Sequence, residues 1–331
     1  MKKILVTGGG GFVGSNLVAA LLRLGEQHQV VVCDNFGKSE KWRNLNKHPT
    51  YEVIPPSQLF SWMEENVSKI ELVYHLGAIS STVEDDVDLL LDGNFALSTK
   101  LWEWCNAHSI RLIYASTAST YGSGDKGFED NESLEYLQNL KSLSPHGWSK
   151  NLFYVRVAND VKLGKVKTPQ WVGIKFFNVY GPNEYHKGEQ HSVISKIAAN
   201  AIMHGTIRLF HSYNPEYADG EQKRDVIYVK DVVRVLLWFM SKPNVSGLFN
   251  LGTGKARTFN DMAKSIFAAL GHDAKIQYIS MPESLAKNYQ YFTEAKMDKL
   301  RAAGYDAPFT SLEDGVKDFV QNYLLKEDKY L

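Results

Sequence analysis

Four consecutive glycines, residues 8–11, follow a short apolar segment near the start of the chain, and a fifth glycine stands at Gly14. The apolar segment 3–7 has the composition of a buried strand, and helical spacing begins at Ser15. Glycine permits a tight turn and a close backbone approach to a ligand, while the N-terminus of the next helix can face a pyrophosphate. The order of strand, glycine turn and helix therefore predicts a βαβ unit that binds a dinucleotide.

Further apolar segments alternate with segments of helical spacing. Strands are predicted at residues 30–34, 72–76, 112–116 and 172–176, and helices at residues 15–24, 87–106 and 150–158. Strands that are apolar without alternation are typical of a parallel sheet that is covered on both faces. We therefore predict an α/β fold with a Rossmann doubly wound parallel sheet.

The pattern changes after Tyr180, where Gly181 and Pro182 break the chain. Helices are predicted from about Ser192 and Val229, and the polar residues 211–223 are predicted to form a long loop. A buried strand at 248–251 suggests that the chain then returns to the sheet. The prediction is a dinucleotide-binding Rossmann domain over residues 1–180, rejoined by about 226–254, with a smaller α/β substrate domain formed by 181–225 and 255–331.

Composition excludes several classes of partner. The 37 basic residues equal the 37 acidic ones, so no net field attracts nucleic acid or an anionic membrane. Residues 232–240 form the most apolar later stretch, which is far shorter than the roughly 20 residues that cross a bilayer. The two cysteines are too few for a disulfide framework, and no His-Glu-x-x-His or paired Cys-x-x-Cys motif predicts a metal site. With no signal-peptide pattern, the expected location is the cytoplasm.

The second predicted strand ends in an acidic residue that bears on the choice of dinucleotide. Asp34 lies about 20 positions after Gly14, where a carboxylate accepts hydrogen bonds from the adenosine ribose. Asp34 alone would favour NAD, because a 2′-phosphate would meet a like charge. Lys38, Lys41 and Arg43 follow, however, and can neutralise that phosphate. These residues leave NAD and NADP both open.

Several motifs together resemble a known superfamily. The spacing Gly8-x-x-Gly11-x-x-Gly14, the run Thr-Ala-Ser-Thr-Tyr-Gly at 117–122 and Lys150 in Trp-Ser-Lys resemble the extended short-chain dehydrogenases/reductases. More specific runs are similar to those of the ADP-L-glycero-D-manno-heptose 6-epimerase family, namely residues 75–82, 177–182, His-Lys-Gly at 186–188, Lys-Arg-Asp at 223–225 and Arg-Ala-Ala-Gly-Tyr-Asp at 301–306.

The resemblance carries expectations about activity. In that family NADP takes a hydride from C6 of the heptose, the resulting aldehyde reorients, and the hydride returns to its opposite face. The resemblance thus implies an NADP-dependent nucleotide-sugar epimerase for lipopolysaccharide core heptose, with NAD less favoured as cofactor. It also implies ADP-heptose as the substrate and a homo-oligomer, for which the family suggests a pentamer.

The resemblance also assigns roles to individual residues. Thr117 matches the residue that hydrogen-bonds the reacting oxygen, Lys150 the lysine that holds the nicotinamide ribose, and Lys187 the second base. The expected cofactor contacts are Gly8, Gly11, Phe12, Val13, Gly14, Asp34, Asn35, Lys41, Leu76, Gly77, Ala78, Ile79, Ser80, Asn94, Lys150, Val179 and Lys187. The expected substrate contacts are Ser81, Asn178, Glu189, Lys196, Phe210, Arg224 and Tyr289. For Arg224 an ion pair with Asp225 stays an alternative, and for Tyr289 a place in the core.

One position departs from the family. The family has a Tyr-x-x-x-Lys motif, but this chain has His146 in the tyrosine position, four residues before Lys150. No other tyrosine can replace it, because Tyr121, Tyr136 and Tyr154 all lack a lysine four residues later. Imidazole can act as an acid or base, but it is shorter than phenol and would need a water to reach the substrate oxygen. We therefore expect slow epimerisation.

Two other functions stay open at this stage. The first is another nucleotide-sugar epimerase or 4,6-dehydratase, which would share the Rossmann half but not the role of Lys187. The second is a non-catalytic NADP-binding protein in which loss of the tyrosine left only binding of cofactor and sugar.

Overall fold

The computed structural model describes residues 1–25, 27–82, 84–283 and 289–331. Its larger sheet consists of β1 (Lys2–Thr7), β2 (His28–Cys33), β3 (Glu52–Ile54), β4 (Ile70–His75), β5 (Arg111–Thr117), β6 (Trp171–Phe176) and β10 (Gly247–Leu251). These strands are all parallel and lie in the order β10-β6-β5-β4-β1-β2-β3. The chain runs from β1 to one edge and then returns past β1 to the other, so the predicted doubly wound sheet is confirmed.

Helices lie between most of these strands. The α-helices of the described residues, in chain order, are α1 (Phe12–Arg23), α2 (Leu59–Asn66), α3 (Val87–Leu90), α4 (Leu97–His108), α5 (Leu134–Gln138), α6 (Pro145–Lys162), α7 (Val193–His204), α8 (Val229–Ser241), α9 (Phe259–Leu270), α10 (Asp298–Ala302) and α11 (Leu312–Phe319). A π-helical segment, Leu91–Ala96, joins α3 to α4, and another, Val320–Leu324, follows α11. Short 3-10 helices occupy Glu40–Leu45, Pro56–Gln58, Ala118–Tyr121 and Tyr185–Gln190.

The predicted helix 150–158 is too short. Helix α6 begins at Pro145, because the Ser144 side chain caps it by accepting a hydrogen bond of 3.2 Å from the Gly147 amide. Proline also suits the first helical position, where its missing N–H costs nothing. His146 therefore lies in the first turn of a regular helix, one turn before Lys150.

Shorter strands build the smaller part of the molecule. They are β7 (Asn178–Tyr180), β8 (Ile207–Phe210), β9 (Lys223–Tyr228), β11 (Ala256–Thr258), β12 (Ile276–Ile279) and β13 (Phe292–Thr293). Strand β9 pairs with β7, β11 and β13, and β8 pairs with β12. The predicted return to the larger sheet occurs at β10, which pairs with β6. The division into two domains at the predicted boundaries stays a prediction, and residues 284–288 of the last range lie outside the described residues.

Two hydrophobic cores support these two sets of strands. The larger core packs around the seven-stranded sheet, and the smaller lies among α7, α9, α11 and β9. Phe12, the first residue of α1, belongs to the smaller core although α1 itself packs on the larger sheet. The start of α1 therefore lies at the junction of the two cores. In the described part of the chain, no helix has both the length and the apolar character needed to cross a membrane.

Lys175 on β6 is an unusual member of the larger core. It is completely buried, with its ammonium 4.0 Å from the centre of the Tyr121 ring and 5.2 Å from that of Tyr154. Its Nζ has no hydrogen-bond partner among the described residues. Burial lowers the pKa of Lys175 from 10.5 to about 7.

Replacing Lys175 with methionine is expected to raise the free energy of unfolding by about 1–3 kcal/mol at pH 7, because it removes an unpaired buried amine. The unfolded lysine binds its proton up to its ordinary pKa, whereas the folded one releases it at the lowered pKa. Wild-type stability should therefore rise between about pH 7 and pH 10.5. Thermal unfolding should show a larger gain for Lys175→Met at pH 7 than at pH 9. An equal gain at both pH values, or the same gain from exposed Lys162→Met, would contradict this account.

Candidate active site

The glycine turn fixes how β1, α1 and the end of β4 meet. Gly8 has a φ of 71°, and a Cβ on it would lie 2.5 Å from the Gly77 amide nitrogen. A Cβ on Gly14 would overlap the carbonyl of Gly8. Gly11 is the N-cap of α1 and provides no side-chain cap, so the first amides of the helix are not used by a capping side chain. The turn therefore fits a pyrophosphate at the N-terminus of α1.

A single cavity of about 490 Å³ extends from this turn across the carboxyl ends of the strands to the smaller sheet. This edge is where ligands bind in open α/β sheets. Eighteen of the predicted site residues line the cavity: Gly8, Gly11, Phe12, Val13, Gly14, Asp34, Lys41, Leu76, Gly77, Ala78, Ser80, Thr117, His146, Lys150, Asn178, Val179, Lys187 and Arg224. The structure therefore brings the predicted catalytic residues and most of the predicted cofactor contacts to one space.

At one end of the cavity, Asp34 and Lys41 form an ion pair. The Lys41 ammonium lies 2.6 Å from Asp34 Oδ1, and the Gly10 amide donates to Asp34 Oδ2 at 2.8 Å. Lys41 also donates to the Asn35 carbonyl at 3.1 Å. A cation therefore lies beside the carboxylate that is predicted to bind the adenosine ribose, where it offsets the negative charge that a 2′-phosphate would otherwise meet.

In the middle of the cavity, Thr117 and Lys150 lie on neighbouring elements. Thr117 ends β5, and its hydroxyl donates to Ser119 Oγ at 3.0 Å. Lys150 lies on α6, is 5 % exposed and donates from Nζ to the Ala115 carbonyl at 3.2 Å. Burial lowers the pKa of Lys150 from 10.5 to about 8. A cationic, partly desolvated amine is thus held next to the end of β5.

His146 lines the same wall of the cavity. It is 5 % exposed, and its Nδ1 is buried without a hydrogen-bond partner in the part of the chain that the structure describes. Burial and the nearby Lys150 charge lower the pKa of His146 from 6.5 to about 4. The imidazole is therefore neutral at pH 7, and it is a much weaker base than an ordinary histidine.

Lys187 also lines the cavity, from the 3-10 helix Tyr185–Gln190. Its ammonium lies 5.4 Å from the centre of the Phe12 ring, and burial lowers the pKa of Lys187. The fully buried Glu184 holds the chain on both sides of Lys187. Its carboxylate accepts hydrogen bonds from the Gly181 amide and from the amide and hydroxyl of Ser192. The 3-10 helix with the His-Lys-Gly motif is therefore tied at both ends.

Arg224 lies at the far end of the cavity. Its guanidinium is 5.8 Å from the centre of the Phe259 ring and 5.4 Å from that of Tyr289, and no carboxylate of a described residue pairs with it. The alternative of an ion pair with Asp225 is wrong, because Asp225 is fully buried and accepts hydrogen bonds from the amides of Thr253, Gly254 and Ala295. Arg224 donates from one nitrogen to the Lys223 carbonyl at 2.9 Å and keeps its other donors for a ligand.

Other predicted contacts lie outside the wall of the cavity, namely Asn35, Ile79, Ser81, Asn94, Glu189, Lys196, Phe210 and Tyr289. Asn94 is fully buried behind the wall. Its Oδ1 accepts a hydrogen bond from the Ile79 amide at 2.9 Å, and its Nδ2 donates one to the Ile79 carbonyl at 3.1 Å. It shapes the loop after β4. Glu189 and Lys196 are exposed, and Tyr289 covers Arg224. Contacts of these residues with a ligand stay predictions.

Sequence reasoning missed several residues that the fold brings to the cavity, among them Ser119, His186, His191 and Phe259. Ser119 and His186 lie inside motifs that were recognised, so their neighbours were the available signal. Phe259 has no such signal, because it begins a helix far along the chain. The antiparallel pairing of β11, which ends directly before Phe259, with β9 places this phenylalanine next to Arg224.

Comparison with known proteins gives consistent similarities. Residues 4–252 match the NAD dependent epimerase/dehydratase family. ADP-L-glycero-D-manno-heptose-6-epimerase of Fusobacterium nucleatum is 44% identical and aligns over 99% of this chain and 100% of its own length. The protein of the same name from Nitratidesulfovibrio vulgaris is also 44% identical, over 99% of each chain.

Solved structures agree in fold. The crystal structure of Helicobacter pylori ADP-L-glycero-D-manno-heptose-6-epimerase superposes with a TM-score of 0.80 at 28% identity, covering 97% of this chain and 96% of that one. UDP-N-acetylglucosamine 4-epimerase from Methanobrevibacter ruminantium superposes with a TM-score of 0.79 at 23% identity, over 97% and 99% of the two chains, and so shares the fold.

Proposed function

The chain belongs to the NAD dependent epimerase/dehydratase family, and we propose that it is an ADP-L-glycero-D-manno-heptose 6-epimerase that uses NADP. The observation that carries this proposal is the single cavity in which Thr117, Lys150 and Lys187 meet the glycine turn. The full-length similarity to epimerases of that name supports the choice of substrate. The reaction inverts C6 of the heptose with no net oxidation, and the product serves lipopolysaccharide core synthesis.

Different structural elements would bind different parts of the dinucleotide. The glycine turn would receive the pyrophosphate, Asp34 and Lys41 the adenosine end, and Lys150 the nicotinamide ribose. When bound, the nicotinamide supplies an acceptor and donor of hydride. The glycines fit this group, because Gly8 and Gly14 leave no room for a Cβ where the turn closes.

The chain's own groups supply the remaining chemistry. The Thr117 hydroxyl lines the cavity and donates to Ser119 Oγ, and turning this single proton toward the reacting oxygen would supply a hydrogen bond there, while the Lys150 ammonium would stabilise negative charge that develops beside it. Lys187 lines the same cavity, and burial lowers the pKa of Lys187 below that of an exposed lysine, which favours the neutral amine that a base requires. The family reaction needs two proton-transfer groups, and in this chain the other position is occupied by His146, which is a weak base.

The substrate diphosphate is assigned to Arg224. Its guanidinium has five donors in a planar fork that suits phosphate oxygens. The guanidinium lies over the Phe259 and Tyr289 rings, and these two contacts restrict the positions that the side chain can take before a ligand binds. A homo-oligomeric state and a cytoplasmic location stay predictions.

Replacing Lys41 with alanine tests the choice of NADP. We expect the dissociation constant of NADPH to rise about 10- to 100-fold, because a charge-assisted contact to the 2′-phosphate is lost. The dissociation constant of NADH should change much less. Fluorescence titration of the purified protein measures both. Lys100→Ala, at an exposed lysine of α4 that does not line the cavity, is the matched control. Equal loss of affinity for both dinucleotides would count against a 2′-phosphate site at Lys41.

The activity itself can be tested directly. Purified protein incubated with ADP-D-glycero-D-manno-heptose should produce the C6 epimer, which proton NMR distinguishes by the coupling at C6. No product after prolonged incubation, together with tight binding of NADPH, would instead favour a protein that only binds cofactor and sugar. Turnover of another nucleotide sugar in place of ADP-heptose would overturn the substrate.

A further inference from the structure

The last four residues, which we call the 328–331 segment, lie across two separate parts of the active site. One part is the 3-10 helix Glu40–Leu45 with the residues that follow it, and it carries Lys41. The other is the turn 183–187, which carries Lys187. Neither the glycine motif nor the catalytic residues of the sequence involve this segment.

Contacts with the Lys41 part are both polar and specific. The Lys47 ammonium lies 2.8 Å from Asp328 and also donates to the Tyr330 carbonyl at 2.8 Å. The Tyr330 hydroxyl donates to Glu40 at 3.3 Å. Tyr330 is 8 % exposed, so its ring is an anchor in the protein rather than a surface group.

Contacts with the Lys187 part are made by Asn183 and Tyr185, which lie four and two residues before the motif lysine. The Tyr185 hydroxyl donates to the Lys329 carbonyl at 2.8 Å, and the Tyr185 and Tyr330 rings meet edge to face at 5.3 Å. The Leu331 amide donates to Asn183 Oδ1 at 2.9 Å. Asn183 has a φ of 73°, a conformation that few residues other than glycine adopt, and this hydrogen bond helps to hold it.

The two parts also touch each other beneath the segment. The Asn44 amide donates to the Gly10 carbonyl at 2.9 Å and to the Asn183 carbonyl at 3.1 Å. Asn183 in turn donates to the Ser15 hydroxyl at 3.0 Å. Hydrogen bonds thus connect the glycine turn, the 3-10 helix that carries Lys41 (the Lys41 helix) and the turn 183–187 that carries Lys187 (the Lys187 turn). The 328–331 segment packs where the Lys41 helix meets the Lys187 turn.

We propose that the 328–331 segment, anchored by Tyr330, is a positioning element that holds the Lys41 helix and the Lys187 turn in one fixed arrangement. It would thereby couple recognition of the 2′-phosphate at one end of the cavity to the placement of the second base. This inference rests on the proposed function in taking Lys41 as a 2′-phosphate contact. It adds Tyr330 as a residue that acts on the site without touching a ligand.

The test compares Tyr330→Ala, Tyr330→Phe and the control Glu327→Ala, an exposed residue of the preceding turn. Hydrogen exchange on the protein without ligand should rise in Tyr330→Ala across residues 40–48 and 183–187 together, and stay unchanged across 115–121. The dissociation constant of NADPH should rise about tenfold and that of NADH less than twofold. Tyr330→Phe keeps the ring contact with Tyr185 and should stay close to wild type.

A second variant guards against a general loss of folding. Lys47→Ala removes two contacts of the segment, and Lys47 is itself half-exposed. This variant should change hydrogen exchange, and the ratio of the NADPH and NADH dissociation constants, in the same direction as Tyr330→Ala but to a smaller extent. The inference is overturned if Tyr330→Ala speeds hydrogen exchange in only one of the two parts. It is also overturned if exchange rises in both parts while the ratio of the NADPH and NADH dissociation constants stays unchanged. Wild-type protein that prefers NADH would overturn the proposed cofactor, while the exchange data would still judge whether the segment holds both parts.

Discussion

Replacing His146 with tyrosine should raise the rate of C6 epimerisation by about 10²- to 10⁴-fold, the usual effect of one positioned acid or base. The wild-type imidazole has a pKa of about 4 and is neutral at the pH of the reaction, so it neither donates a proton readily nor accepts one from an alcohol. A phenol at this position extends further into the cavity. The buried Lys150 ammonium one helical turn away would favour its ionised form.

The measurement is epimerisation in both directions, starting from each of the two heptose isomers. His191→Tyr is the matched control, because His191 also lines the cavity but lies outside the Tyr-x-x-x-Lys position. The pH profile of wild-type turnover should show no ionisation of His146 between about pH 5 and pH 9, because the imidazole stays neutral over this range. A histidine enzyme as fast as the tyrosine variant would refute the idea that His146 limits the reaction.

Replacing Lys187 with methionine in the tyrosine variant of His146 should lower epimerisation by about 10²- to 10⁴-fold. Methionine keeps the apolar length that packs on Phe12 but cannot transfer a proton. Because burial lowers the pKa of Lys187, the wild-type amine gives up its proton closer to neutral pH than an exposed lysine does. The variant should also lose the alkaline part of the pH dependence that this lysine contributes.

Turnover should be compared with Lys264→Met, at an exposed lysine of α9, and NADPH binding should be titrated in parallel. Affinity that stays within about tenfold of wild type, beside a large loss of turnover, separates a catalytic role from a binding role. Unchanged turnover would instead favour another nucleotide-sugar epimerase or a 4,6-dehydratase, in which this lysine has no role. In wild type the loss should be smaller than in the tyrosine variant of His146, because the half-reaction at His146 already limits wild-type turnover.

Much of the cofactor half was predictable from local pattern. The glycine turn, the parallel strands and Asp34 depend on short-range rules, because a tight turn and a strand buried on both faces restrict residue types position by position. The departure at His146 was also evident from spacing alone. Its consequence was not, since the lowered pKa of His146 depends on burial and on the distance to Lys150 in the folded helix.

The tertiary structure decided how distant segments share one site. The pairing of β7 with β9 brings Arg224 to the cavity of the glycine turn, and the hydrogen bonds of Asp225 to residues 253, 254 and 295 decide that Arg224 stays free for a ligand. The 328–331 segment is placed over the 3-10 helix that carries Lys41 and the turn that carries Lys187 by contacts between residues 283 and 144 positions apart. Sequence determines periodicity and turns because these are local energies, whereas the neighbours of a side chain depend on the packing of the whole chain.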